Sequence, residues 1–360
     1  MADGFTREHV KSLISTVRTD FLNPFSTREQ LHLLQPNVNL VDSDPLSELQ
    51  KLSQIIKAHS TKVGIVFNPS KFNDNVDAAC NELQQFSNSV FFLVSLLPLF
   101  YKGKYPDYLI DELDSYVLGL FNGISGMCDE IEKLTQGEEL EAVSNLAESP
   151  DADGVRLISV GKMWASCDSL SGLAKQGSFG LLDSKIRTSI KLLNDTLLEV
   201  EDWLLDPQLE SDDPFGLDEV SEGESGDERA ASDDMIEFVK QWQTNLKMIK
   251  LLLSSFSKSI TSHEYKNTEK YASQLSKLNR MHKLVAEKVD ELISTIFMLG
   301  ADFDKEDEEL CDITQALNSS LKSILQIIRT LNGTDPKRGK WVDVWEGKYF
   351  DSYSVRESLG

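Results

Sequence analysis

The sequence of 360 residues predicts an all-α fold, with two antiparallel bundles of long amphipathic helices and a disordered acidic loop. Three observations lead to this prediction. Apolar residues recur every three or four positions along many long stretches, and Pro or Gly marks the ends of several of these stretches. No stretch shows the alternation of a strand bounded by hairpin turns. Connections between the helical stretches are mostly short, which favours antiparallel neighbours.

The first bundle is predicted over residues 1–175. Asp44 is a suitable N-cap for its first long helix, and Pro45 then takes the first helical position. A small-residue gap at 149–154 is expected to separate the last helix from the preceding one. The predicted helices of this bundle run from Pro45 to Val66, from Phe72 to Leu97 with Pro98 as the stop, from Pro106 to Leu134, and through Met163–Cys167.

The second bundle is predicted over residues 176–331. Asp234 and Glu237 have the spacing of a capping box at the start of one of its helices. Gly300 and Asn332-Gly333 are stop signals for the last two helices. The predicted helices run from Phe179 to Leu205, from Asp234 to Ile260, from Tyr271 to Leu299 and from Leu310 to Leu331.

An acidic segment at 206–233 interrupts the second bundle. From Glu201 to Asp234 there are 14 acidic residues and one basic residue, so this stretch carries −13 of the chain's net charge of −23. Such a composition buries too little apolar area to offset the entropy of ordering, which predicts a disordered loop. Ser221 and Ser225 each precede a glutamate by three residues, and this acidophilic-kinase pattern makes them candidate phosphorylation sites.

Charge and hydropathy exclude several kinds of partner. The net charge of −23 opposes direct binding to nucleic acid or to anionic lipid. The longest apolar run, from Val90 to Phe100, is too short to span a bilayer.

Four cysteines lie far apart without a CxxC pair and are expected to be buried in helices, as in a reducing intracellular compartment.

The sequence contains no recognisable catalytic or metal-binding constellation, so no cofactor and no enzymatic activity are predicted. Glu29 and His32 have the E-x-x-H spacing of di-iron bundles, but the second copy that such a site requires is absent. The glycines of 172–180 are not preceded by a strand and lack the lysine of a phosphate loop. The apolar seam from Tyr271 to Leu299 is more typical of an intramolecular bundle than of a dimeric zipper, which favours a monomer.

The C-terminal stretch at 332–360 is rich in aromatic residues, which lie among charged ones. On a flexible terminus such residues suit docking into a groove of a partner protein. The alternative is that this tail packs against its own bundle. The candidate docking residues are Trp341, Trp345, Tyr349 and Phe350.

The order of these elements resembles the cyclin-D-binding (GCIP-like) protein family over about residues 45–331. The resemblance rests on the helix containing Trp164–Cys167, on the acidic end of the helix at 197–206, and on the Asp/Glu/Ser linker before two or three leucine-rich helices. It implies a non-enzymatic, all-helical protein that binds D-type cyclins, restrains cell-cycle transcription and shuttles between cytoplasm and nucleus.

Family members have also been viewed as helix-loop-helix proteins without a basic region, so partners include a cyclin, a cyclin–kinase pair or a helix-loop-helix regulator. Two other classes stay open at this point. One is a vinculin-like cytoskeletal adaptor, and the other is a helical-bundle enzyme without a recognisable motif.

Overall fold

The computed structural model describes residues 5–101, 103–136, 151–209, 230–262, 268–333 and 335–357. Regular structure in these ranges is helical, and the only β pairing there is one isolated bridge between Gln208 and Ala230. The prediction of an all-α protein is therefore confirmed. The chain forms two compact units, Met1–Ser178 with Thr268–Ala272, and Phe179–Asn267 with Ser273–Gly360.

In the described residues, the first unit contains six α-helices and the N-terminal half of a seventh. Asp44 caps α3 as predicted, because its carboxylate accepts hydrogen bonds from the backbone of Leu46 and Ser47. The helices are α1 Arg7–Val17, α2 Arg28–His32, α3 Pro45–Val66, α4 Pro69–Phe72, α5 Val76–Leu96, α6 Asp107–Gln136 and α7, which begins at Asp151.

Helices α3, α5, α6 and the first half of α7 form an antiparallel bundle. Contacts between α3 and α7 show the antiparallel arrangement, because residue numbers rise along α3 as those of the contacting residues fall along α7. Lys57 of α3 pairs with Asp168 of α7 at 2.7 Å, and Thr61 accepts a hydrogen bond from the indole of Trp164 at 3.1 Å. The core of this bundle consists of the apolar stripes, including Leu109, Leu113, Val117, Leu120 and Ile124.

Glycines bring α6 and α7 close together. A Cβ built on Gly123 would lie 2.8 Å from Met163 Cγ and 3.1 Å from the Met163 backbone nitrogen. One turn on, a Cβ on Gly126 would lie 2.8 Å from Ser159 Oγ. Only a residue without a side chain permits this approach of the two helices, so these glycines belong to the packing of the first unit.

Helix α7 spans Asp151–Trp203 and is broken at Gly177, which has a φ of 59° and a ψ of −169°. This positive φ suits glycine because it has no Cβ. The described part of the second unit contains the part of α7 after this break and four further α-helices. They are α8 Asp233–Ser262, α9 Ala272–Leu299, α10 Glu308–Asn332 and α11 Pro336–Glu357.

Side-chain contacts fix the directions of the helices in the second unit. On α7 and α8 they pair Asp183 with Ser257 and Glu201 with Lys247, so these helices are antiparallel. On α7 and α9 they pair Ser189 with His282 and Trp203 with Phe297, so these two run in the same direction. Helix α11 packs on α8 and α10.

Several local expectations are corrected by the structure. Helix α7 already begins at Asp151, inside the expected gap at 149–154. Helix α8 begins one residue before Asp234, and its cap is Ser232, whose Oγ accepts a hydrogen bond from the backbone N–H of Met235 at 3.2 Å. Three cysteines are buried as expected, whereas Cys311 is exposed on α10.

The two ends of the acidic segment lie next to each other. Gln208 and Ala230 form the isolated antiparallel bridge, and the backbone N–H of Ala231 donates to the carbonyl of Pro207 at 3.2 Å. Of the segment 206–233 that was expected to be disordered, residues 210–229 lie outside the described residues.

Candidate protein-binding site

Helix α11 covers most of the predicted aromatic tail. Its N-terminus repeats the Asp-Pro signal seen at α3, because Pro336 takes the first helical position and the Asp335 carboxylate accepts from the backbone N–H groups of Lys337 and Arg338. The cap and the proline together specify where this helix begins.

Two buried aromatic residues attach α11 to the second unit. Trp345 and Tyr349 are 3% and 1% exposed, and their rings stack with centroids 4.9 Å apart. The indole N–H of Trp345 donates to the backbone carbonyl of Met248 on α8 at 2.9 Å. These contacts hold the middle of α11 against the second unit, with Trp345 attached to α8.

An ion-pair cluster fixes α11 to α10. The Arg329 guanidinium contacts Asp343 at 2.7 Å and Glu346 at 2.5 Å. The hydrogen bonds that the guanidinium donates to these two carboxylates, that to Glu346 first, raise the pKa of Arg329 above its ordinary value. Together with the aromatic contacts, the cluster sets the position of the middle of α11, where Asp343, Trp345 and Glu346 lie.

A pocket of about 290 Å³ opens between the ends of α8 and α10 and the first turns of α11. Its apolar wall is formed by Phe256, Ile328 and Val342, which are buried beneath it. Trp341 borders the pocket and remains 37% exposed. The other lining residues are Ser255, Lys258, Ser259, Asn332 and Arg338.

The polar groups of this pocket suit a peptide ligand. Asn332 Oδ1 is buried and accepts no hydrogen bond from another described residue. A buried acceptor without a donor costs about 1–3 kcal/mol, so a donor brought by a ligand would be favourable there. Lys258 and Arg338 add positive charge at the rim. An apolar floor with a few polar groups is the usual composition of a binding pocket.

The structure separates the four predicted docking residues. Trp341 lies at the pocket, and Phe350 is half-buried with the Lys322 ammonium 5.0 Å from its ring centroid. Trp345 and Tyr349 pack into the second unit itself, in line with the alternative that the tail packs on its own bundle. The candidate phosphorylation sites Ser221 and Ser225 lie outside the described residues.

Sequence comparison places this architecture among known proteins. A model of the N-terminal part of the Grap2 and cyclin-D-interacting family matches residues 48–206, and a model of its C-terminal part matches residues 210–326. The chain belongs to this family. The matched ranges confirm the resemblance derived from the helix order over about residues 45–331.

Two curated yeast proteins are similar to this family member along most of their length. An uncharacterized protein of Saccharomyces cerevisiae is 33% identical over 346 residues, which is 94% of each chain. An uncharacterized protein of Schizosaccharomyces pombe is 23% identical over 316 residues, which is 85% of each chain. The family models end at residue 326, so α11 and the Trp341 side of the pocket lie beyond them.

Of the residues that carried the resemblance, Trp164–Cys167 lie in the first unit of this family member. The Cys167 thiol is 1% exposed, and burial raises its pKa to about 12. Trp164 is 38% exposed and faces α3. Ile65, Leu157 and Trp164 are all exposed apolar residues of α3 and α7, which form a second apolar surface that the sequence analysis did not identify.

Within the described residues, no group of three or more His, Cys, Asp or Glu side chains has the arrangement of a metal site. Glu29 and His32 lie on the short helix α2, where His32 Nε2 contacts the buried carboxylate of Asp114 at 2.7 Å. The hydroxyl of Tyr101 donates to the same carboxylate at 2.9 Å. Among the described helices none is long and apolar enough to cross a membrane.

Proposed function

We propose that this protein is a non-catalytic binding protein that holds a D-type cyclin, alone or with its kinase, at the Trp341 pocket of the second unit. Support for the class of partner comes from the family description, cyclin-D-interacting, whose two models together span most of the chain. With such a partner we expect the protein to act as an adaptor that restrains cell-cycle progression in both cytoplasm and nucleus.

The observation that carries the choice of site is the exposure of Trp341 beside a preformed apolar pocket. Tryptophan is enriched among the residues that dominate binding energy, and such residues lie next to well-packed pockets. Trp345 and Tyr349 hold the helix that presents Trp341, so little conformational entropy is lost when a partner binds. A rigid aromatic anchor next to a pocket is what a groove-binding peptide or helix of a partner requires.

The titratable clusters of the described residues support a binding role over a catalytic one. Asp114 is buried in the first unit, where its carboxylate accepts a hydrogen bond from the Tyr101 hydroxyl and contacts His32 Nε2. Burial raises the pKa of Asp114 and lowers that of His282, which favours their uncharged forms. The partners of these groups come from within their own units, Tyr101 and His32 for Asp114 and Ser189 for His282.

The test is calorimetric titration of the full chain with a purified D-type cyclin–kinase pair. The wild-type chain should bind saturably, and Trp341→Ala should weaken binding about 30-fold, as expected for loss of a binding hot spot worth about 2 kcal/mol. Met298→Ala is the matched control, because Met298 is an apolar residue of α9 that is 84% exposed and lies outside the pocket.

The control variant should bind as tightly as the wild type. Equal weakening by both substitutions would contradict the site, since Met298 does not line the pocket. Absence of saturable heat with the wild-type chain would contradict the proposed partner.

A further inference from the structure

A basic groove lies between the second half of α7 and α8. It has a volume of about 480 Å³, and four of its lining side chains are cations: Arg187 and Lys191 from α7, and Lys250 and Lys258 from α8. The other lining residues are Ile190, Asn194, Ser254 and Ser257, so none of the residues that line the groove is acidic. In a chain with a net charge of −23, such a local excess of positive charge is unusual.

One cation of the groove, Arg187, forms an ion pair with the buried carboxylate of Asp183. Asp183 is 8% exposed and accepts hydrogen bonds from Arg187 Nε, at 2.8 Å, and from the Ser257 hydroxyl. Both of its oxygens are therefore engaged, and the ion pair orients Arg187 while offsetting its charge, so that the positive charge of the groove comes mainly from its three lysines. On the opposite wall, Lys250 Nζ donates to the neutral amide of Asn194, which holds the ammonium in place without cancelling its charge.

The spacing of the cations defines what they can bind. Arg187 and Lys191 are one helical turn apart, about 6 Å, and Lys250 and Lys258 are two turns apart, about 12 Å along α8. Carboxylates two residues apart on an extended chain are separated by about 7 Å. A short segment with several Asp or Glu residues therefore matches the length of the groove and the separation of its charges.

Protein is a better match than nucleic acid for this groove. Proteins that bind single strands combine positive charge with aromatic side chains on which bases stack, and the groove lining contains no aromatic residue. The net charge of the chain also opposes the approach of a long polyanion. A short acidic peptide encounters less of this repulsion than a nucleic acid of many phosphates.

The groove also adjoins the Trp341 pocket. Lys258 lines both cavities, and Ser254 and Ser255 of α8 line the groove and the pocket, respectively. We propose that the basic groove binds an acidic segment of the protein partner, next to an apolar side chain of that partner held at Trp341. The identity of the partner as a protein rests on the proposed function, whereas the charge preference of the groove does not.

The test uses fluorescence anisotropy of a labelled 12-residue peptide rich in Asp and Glu, and of the same peptide with Asn and Gln instead. The full chain should bind the acidic peptide, with an affinity that falls as salt rises, and should bind the neutral peptide at least tenfold more weakly. The variant Lys191→Gln/Lys250→Gln should lose about tenfold in affinity for the acidic peptide.

The matched control is Lys240→Gln/Lys277→Gln, which removes the same charge from two exposed lysines outside the groove. It should bind like the wild type, and equal weakening by both double variants would overturn the proposal, because net charge alone would then explain the binding. Circular dichroism of each variant checks that the helices remain folded.

Two other occupants are outcomes of the same assay. A variant without residues 211–229 that binds the acidic peptide more than tenfold more tightly would overturn the proposal, because the chain's own acidic segment would then be the occupant. Displacement of the peptide by single-stranded DNA of equal charge would also overturn it. Trp341→Ala should leave binding of this peptide unchanged, so a failure of the pocket and a failure of the groove are distinguishable.

Discussion

Acidification is expected to destabilise the second unit through one buried histidine. His282 is fully buried on α9, and its Nδ1 lies 2.9 Å from the hydroxyl of Ser189 on α7. Burial, with a smaller contribution from the positive charges of Lys283 and Lys185, lowers the pKa of His282 to about 3. The folded state therefore keeps this imidazole neutral in a pH range where the unfolded chain protonates it.

The sign and size of the effect follow from proton linkage. Below about pH 6.5 the unfolded chain binds a proton at His282 and the folded chain does not. The free energy of unfolding therefore decreases as the pH is lowered from about 6.5 to about 3. Each pH unit within this window costs about 1.4 kcal/mol. Between pH 7 and pH 5 the free energy of unfolding decreases by about 2 kcal/mol. The full slope is not reached over this whole range, because at pH 7 the histidine of the unfolded chain is only partly charged.

Urea unfolding at pH 7 and pH 5 measures this loss in the wild type and in His282→Leu. Four of the five tryptophans, at positions 203, 242, 341 and 345, belong to the second unit, so their fluorescence reports chiefly on its unfolding. The wild type should lose about 2 kcal/mol more than the variant over this range. An equal loss in both proteins would refute the reasoning, since carboxylates common to both would then account for the pH dependence.

Two further predictions concern packing. Gly123→Ala should destabilise the first unit by about 1–3 kcal/mol because its Cβ would meet the Met163 backbone, whereas Gly161→Ala, where no atom lies within 4 Å, should stabilise it by about 1 kcal/mol. Chemical denaturation of the two variants checks this, and the same sign for both would contradict the close contact. Trp345→Ala should destabilise the second unit by about 3–5 kcal/mol and make α11 sensitive to protease, whereas Trp345→Phe should cost only about 1–2 kcal/mol. Protease resistance of α11 in the alanine variant would show that its attachment does not depend on the Trp345–Met248 contact.

The long helices could be predicted from the sequence because one physical signal determines them. The stripe of Leu109, Leu113, Val117 and the residues that follow it is buried in α6, as the spacing of three and four residues requires. Local end signals were less decisive. Ser232 and Asp234 are both residue types that can cap a helix, and in the structure the backbone of α8 donates its N-terminal hydrogen bond to Ser232.

Helix α11 was missed although its signals were present. Asp335-Pro336 repeats the start signal of α3, and Val342, Trp345 and Tyr349 have the spacing of a buried helical face. The aromatic residues and surrounding charges suggested a flexible docking tail instead. What could not be predicted is the pocket, because its walls come from three helices and residues such as Phe256 are indistinguishable from core residues in the sequence.

Amide hydrogen exchange of the full chain, with and without a saturating D-type cyclin–kinase pair, tests the central claim most directly. The partner should slow exchange in residues 255–259 of α8 and 336–344 of α11, which border the Trp341 pocket. Slowing confined to residues 157–165 of α7 would place the partner on the apolar surface of the first unit and contradict the assignment of the site.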